Sequence, residues 1–214
     1  VVNKSEQAFY QLEAMIERGE LEPDSFVSES SLMQVTGLGR TPTREAVQRL
    51  ARNHMLRIHP NKGIEIPRIS VEDQLSRLEV RRAVEVLAVA LACERATQRE
   101  LEAIESLAAT LNGEHLLHDY AETVRQTHSL ILAASHNFYL AEAMVPLQGM
   151  SRRFWLMHVR DERKEVLEGS RLHRALLDAI AVRDREAARQ ASLELNDYLV
   201  ASALSVVTGR SSGE

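Results

Sequence analysis

Two groups of polar residues in this 214-residue chain stand at spacings that could do chemistry. The first lies between residues 40 and 68. There Arg40, Arg44, Arg49, Arg52, Arg57, Lys62 and Arg68 are opposed only by Glu45 and Glu65, in a molecule whose net charge is −5. Thr41, Arg44 and Gln48 recur at helical spacing opposite Ala46, Val47 and Leu50. A groove-reading helix needs this division, one side locked into its domain and the other carrying groups that bond base edges. Arginine can bridge O6 and N7 of guanine, and glutamine can pair with adenine. Arg40 and Thr41, with Thr43 beside them, stand at the helix start, where free backbone N–H groups attract phosphate. Asn61-Lys62-Gly63 makes a basic turn able to reach a neighbouring groove. A local patch matters more to a polyanion than the total charge does, so double-stranded DNA is the expected partner.

The second group is sparser. His128 shares a helical ridge with Val124, Ile131 and Leu132, and His173 shares one with Leu176, Leu177 and Ile180. Arg81 and Glu85 interrupt the apolar stripe that contains Leu78. Buried charge is costly unless paired, so these residues either satisfy one another or line a polar cavity.

The elements that must position both groups follow from composition and punctuation. Only nine glycines and five prolines, against abundant Ala, Leu, Glu and Arg, predict a mainly α fold. Four of the prolines (Pro23, Pro42, Pro60, Pro67) fall in the first 67 residues, and the only later one is Pro146. That shift predicts a small turn-rich domain over 1–68, a helical domain over 69–208 and a flexible tail over 209–214. In the first domain Phe9, Leu12 and Ile16 mark a helix that stops at Gly19. Ser28 caps a second, and Thr36-Gly37-Leu38-Gly39 is a turn. A third helix opens with Thr41 at the N-cap and Pro42 at the first helical position. Leu56-Arg57-Ile58 and Ile64-Glu65-Ile66 form a hairpin with inward isoleucines. That order is a winged helix-turn-helix. The second domain is predicted as an all-helical bundle, with helices over 71–95, 98–112, 116–135, 138–148, 150–160, 166–182 and 184–206.

Other classes are narrowed by what the chain lacks. Hydrophobic residues make up 44% of it, enough for a packed core. No run approaches the roughly 18 apolar residues of a membrane span, so no membrane partner is expected. The opening VVNKSEQAFY lacks a signal-peptide layout. The single cysteine, Cys93, excludes an internal disulfide. A cytoplasmic protein is expected. No HExxH, Gly-rich phosphate loop or nucleophile–base pairing occurs, which weighs against the rival reading of an all-helical metal-dependent hydrolase centred on His128 and His173. An effector-blind DNA-binding protein is the other rival.

The stretch Gly19-Glu20-Leu21, Gly39-Arg40-Thr41-Pro42-Thr43-Arg44-Glu45-Ala46 and Asn61-Lys62-Gly63 resembles the DNA-binding domain of bacterial GntR-family transcription regulators. The helical remainder resembles their FadR-like subfamily with its FCD ligand-binding domain. The resemblance implies a ligand-responsive regulator, most often a repressor, that binds a near-palindromic operator as a homodimer and answers a small metabolite. Arg40, Thr41 and Arg44 match base- and phosphate-contacting positions, and Gly63 matches the wing tip. Ser30 stands where the family usually carries a DNA-contacting arginine.

Many FCD domains hold a divalent metal through an aspartate, a histidine four residues later, and two further histidines. His128 and His173 match two of these ligands, and Ala134-Ser135-His136-Asn137 resembles the family's small-residue segment. Val124 and Leu195 occupy the other two positions, leaving an incomplete metal site. Two neutral imidazoles rarely hold a metal against water. The expectation is no metal, or a weak rearranged site that recruits Asn196. The effector expected without metal is a small carboxylate among Arg81, Glu85, His128, His173 and Asn196. Arg81 is its cation by family position, and Arg152 or Arg153 is a lesser candidate.

Overall fold

Turn chemistry dictates the first third of the chain. The computed structural model describes residues 3–208, so the predicted tail over 209–214 lies outside the described residues. Helix α1 (Lys4–Glu17) begins where the Asn3 side chain accepts a hydrogen bond from the Ser5 N–H. It buries Ala8, Phe9, Leu12 and Ile16 on one face and stops before Gly19, whose φ is +74°. After a short strand β1 (Ser25–Val27), Ser28 and Ser31 form a reciprocal cap for α2 (Glu29–Thr36). Gly37, left-handed at φ 66°, closes that helix. Helix α3 (Arg40–Arg52) buries Thr43, Ala46, Val47 and Leu50. Strands β2 (Arg57–His59) and β3 (Gly63–Ile66) complete a three-stranded antiparallel sheet in the order β1-β3-β2.

Three details differ from the sequence expectation. The N-cap of α3 is Gly39, so Thr41 and Pro42 are its second and third residues rather than N-cap and first. Proline is tolerated there because first-turn N–H groups have no helical partner. Strand β1 was not expected, being three residues long with Phe26 53% exposed and no alternation to betray it. In the hairpin Ile64 and Ile66 are buried, but Ile58, paired with Ile64, is 42% exposed. At the wing tip Asn61 has φ 64° and Gly63 φ 105°, and a Cβ on Gly63 would stand 3.0 Å from the Val27 carbonyl oxygen. Glycine is therefore required there twice over, by its backbone angle and by the approach of β1.

The remaining helices are α4 (Val71–Arg95), α5 (Gln98–Thr110), α6 (Leu117–Ala134), α7 (Phe138–His158), α8 (Glu162–Ala181) and α9 (Arg185–Thr208). They divide into two compact units. The first runs up to Ser70 and includes Gly149–Met157 of α7, and the second holds Val71–Gln148 and resumes at His158. In the second, α9 packs on α4 and α8, α5 and α6 pack on α8, and α6 also packs on α4. Leu78, Ala88, Ile104, Ile131, Leu132, Leu177 and Ile180 are among its buried side chains. Asn196 donates to the Leu78 carbonyl at 3.1 Å, and Arg183 donates to the Cys93 carbonyl at 2.7 Å, tying α9 and its approach to α4.

The predicted break between 148 and 150 is absent. α7 runs through Pro146 as one helix. A proline inside a helix removes one backbone bond, and burial of Leu140, Met144, Met150 and Phe154 along this helix compensates. α8 starts four residues earlier than predicted because Asp161 caps it, accepting from the Lys164 N–H at 3.0 Å.

Candidate nucleic-acid interface and polar core site

On α3 the predicted division of faces is present. Arg40, Thr41, Arg44 and Gln48 are exposed, while Ala46, Val47 and Leu50 are at most 4% exposed. Asn61 and Lys62 are exposed at the wing tip beside half-buried Gly63. Part of the basic block is already engaged within the first unit. The Arg49 guanidinium lies 3.9 Å from the Phe9 ring centroid, Arg57 and His59 meet Glu65, and Arg68 lies 3.5 Å from Asp24. Arg40 Nε stands 3.7 Å from Glu29 Oε1 at the start of α2. Among the described residues Arg44 and Lys62 carry no such pairing, and both are exposed. Thr43, expected among the contacting residues, is fully buried and its hydroxyl donates to the Gly39 carbonyl at 3.0 Å. It fixes the first turn of α3 and does not reach outward.

The second group converges only in part. Arg81 and Glu85, one turn apart on α4, are buried, with Arg81 Nε and Nη2 donating to Glu85 Oε1 at 3.1 and 2.7 Å. Gln148 Nε2 donates to the same oxygen at 3.3 Å. The rings of His128 and His173 lie with centroids 6.0 Å apart. His173 Nδ1 is 2.9 Å from the Tyr120 hydroxyl and 2.9 Å from the Gly169 carbonyl. A neutral imidazole can serve either, donating from Nδ1 to the carbonyl or accepting there from the phenol. Burial, aided by the Arg81 charge, pushes the His173 pKa down to about 4, against smaller opposing effects of the Gly169 carbonyl and Glu85. Burial likewise holds the Tyr120 phenol well above its ordinary range.

Tyr120, Gly169 and Gln148 were not foreseen as members of this cluster. A Cβ on Gly169 would fall 2.1 Å from the Tyr120 hydroxyl oxygen, so the glycine makes room for that side chain. The signal available was the i, i+4, i+8 ridge Tyr120-Val124-His128 on α6.

Two domain families cover most of the chain. The gntR family of bacterial regulatory proteins matches residues 4–66, and the FCD domain matches residues 76–197. The chain is a GntR-family transcriptional regulator with an FCD domain. It is 27% identical over 189 residues to the HTH-type transcriptional regulator YdhC of Bacillus subtilis, spanning 86% of this chain and 84% of that one. It is 25% identical to the regulator McbR of Escherichia coli, spanning 86% of this chain and 85% of that one. The transcriptional repressor GlaR of Escherichia coli is 26% identical, over 78% of this chain and 80% of its own. Among solved structures, that of Escherichia coli McbR/YncC has a TM-score of 0.77 at 22% identity, covering 97% of this chain and 100% of that one. These relatives are regulators, not enzymes.

This GntR regulator carries uncharged side chains at Ser30, Val124 and Leu195. Ser30 lies on α2, where its hydroxyl is 2.8 Å from that of Ser28. In the FCD domain Val124 and Leu195, which the resemblance matches to metal-ligand positions, are buried apolar side chains. Among the described residues no three His, Cys, Asp or Glu side chains converge to hold a metal ion. The Asn196 amide is spent on the Leu78 carbonyl, and the Arg81 guanidinium bears electrostatically on His173. Two imidazoles beside a guanidinium do not fit a divalent cation. Arg152, weighed as an effector cation, belongs instead to the first unit. It is buried there with Nε and Nη2 on the Glu17 carboxylate at 3.0 and 2.5 Å. Neighbouring Arg153 donates to the Pro67 carbonyl at 2.7 Å.

Proposed function

We propose that this regulator is a homodimeric repressor. It binds a near-palindromic operator through α3 and the wing, and it is released by a small carboxylate metabolite that enters the polar core of its FCD domain. The observation that carries the reading is the outward face of α3. Arg40, Thr41, Arg44 and Gln48 stand clear of the packed side, with Asn61 and Lys62 exposed at the wing. One winged helix covers only a few base pairs, so two copies and two half-sites are required for a specific site. GlaR, a relative of comparable length, is named a repressor.

Of the buried arginines among the described residues, Arg81 is the one in the second unit, and its partner is Glu85. A ligand carboxylate would exchange with Glu85 on that guanidinium, near the neutral His173 and the Tyr120 hydroxyl. Such an exchange alters α4, and a ligand that prefers the altered state shifts DNA affinity by its differential binding energy.

Fluorescence anisotropy with duplexes from the regulator's own upstream region tests the reading. The expected results are a salt-sensitive specific complex, loss of about 1–3 kcal/mol per half-site in Arg44→Ala, and dissociation by at least one member of a carboxylate panel. Unchanged affinity in Arg44→Ala removes that side chain from the contacting set. Release only by cationic or neutral compounds removes the carboxylate.

A further inference from the structure

Beside the reading helix the surface is notched. A hollow of about 340 Å³ is lined by Glu29, Ser30 and Met33 of α2 and by Arg40 and Arg44 of α3. Its one carboxylate, Glu29, opens α2 and lies 3.7 Å from Arg40, with 36% of its side chain exposed. Ser30, next along α2, is uncharged and its hydroxyl lies 2.8 Å from that of Ser28. Glu29 is therefore opposed on this rim by the two α3 guanidinium groups and by no cation of its own helix.

An exposed ion pair at this distance contributes little, so Arg40 is readily surrendered to DNA. The carboxylate it leaves behind then faces a groove whose phosphates repel it. It is tolerated there only if the base edge offers a donor. In the major groove the exocyclic amines are N4 of cytosine and N6 of adenine, and adenine sets the N7 acceptor beside its amine where it opposes a carboxylate. Cytosine is the match. Guanine, with O6 and N7, is the match for Arg40.

We propose that Glu29 is a specificity-determining residue. It holds Arg40 in the free protein and, on the operator, accepts a hydrogen bond from a cytosine N4 amine adjacent to the guanine that Arg40 contacts. This rests on the DNA-reading assignment above and adds a base preference to it. Glu29 also penalises random sequence, because a duplex without that cytosine leaves the carboxylate unpaired among phosphates. Its worth lies in discrimination rather than in affinity.

The test is selection from a randomised duplex library with the full-length wild type, Glu29→Gln and Arg40→Ala, read by sequencing. Binding of one random-sequence duplex is followed by anisotropy in parallel. The wild type should enrich half-sites with a cytosine beside a guanine. Glu29→Gln should keep the guanine, cut the cytosine preference about tenfold and admit adenine, which glutamine matches. Its affinity for the random duplex should rise. Arg40→Ala should lose the guanine. The cap of α2 is made by Ser28 and Ser31, so Glu29→Gln should melt with the wild type. If Glu29→Gln selects the wild-type half-site unchanged, the proposal is overturned. Loss of guanine and cytosine together also overturns it, since Glu29 then acts only through Arg40. A wild type that enriches no duplex at all would sink the DNA-reading assignment itself.

Discussion

His173 shows how one residue can be settled by its surroundings. Its ring is buried on α8, Nδ1 is occupied by the Tyr120 hydroxyl or the Gly169 carbonyl, and the Arg81 charge disfavours a second proton. The folded protein therefore keeps it neutral down to about pH 4, whereas the unfolded chain protonates it near 6.5. Between those values the unfolded state binds the extra proton, so this group's contribution to stability is complete above pH 6.5 and is lost as pH falls toward 4. From pH 7 to pH 5 the expected loss is about 2 kcal/mol in urea-unfolding free energy. His173→Gln, which cannot be protonated, should show a shallower decline over the same interval. Equal slopes for the two proteins would mean that the imidazole takes up its proton in the fold as it does in the unfolded chain.

The helices and the wing show which parts of such a molecule a sequence discloses. Gly169 looks like a flaw in α8, since alanine at an ordinary helical position stabilises by about 1 kcal/mol over glycine. Here the added methyl would meet the Tyr120 hydroxyl oxygen at 2.1 Å, and overpacking of that kind typically costs about 1–3 kcal/mol. Gly169→Ala should therefore lower the melting temperature, and by less in a Tyr120→Phe background. Equal decrements in both backgrounds would show that the hydroxyl is not what the glycine accommodates. Nothing in the spacing of residues announces this contact, because it joins two helices nearly fifty residues apart. Features written in local chemistry were legible: the Gly19 stop, the Ser28 cap, the apolar side of α3 and the turn at Gly63. Features decided by packing were not. Burial along α7 carries the helix through Pro146, Thr43 is turned inward, and Glu17 captures Arg152 from far along the chain. Part of the polar core was likewise visible as charged residues on apolar ridges, and Tyr120 shares the ridge of His128, but the partner Gln148 became visible only in three dimensions.

Charge in this molecule is distributed against its total. Residues 40–68 hold seven basic and two acidic side chains, while the chain as a whole carries −5. The acidic remainder is repelled by a duplex, so binding strength must come from a small area, and one such area spans few base pairs. No helix among the described residues is long and apolar enough to cross a membrane. Two copies held in one dimer would multiply the weak grip of each, because the second half-site is met at a high effective concentration once the first is bound. The gain depends on both half-sites lying on the same face of the duplex. Inserting about five base pairs between them rotates one by half a helical turn, whereas about ten restores the face at the cost of distance. Anisotropy titrations should show the half-turn insertion falling to the affinity of a single half-site and the full-turn insertion recovering a part of the loss. Identical affinities for all three spacings would mean that each copy binds alone, and the paired reading would then give way to a monomeric one.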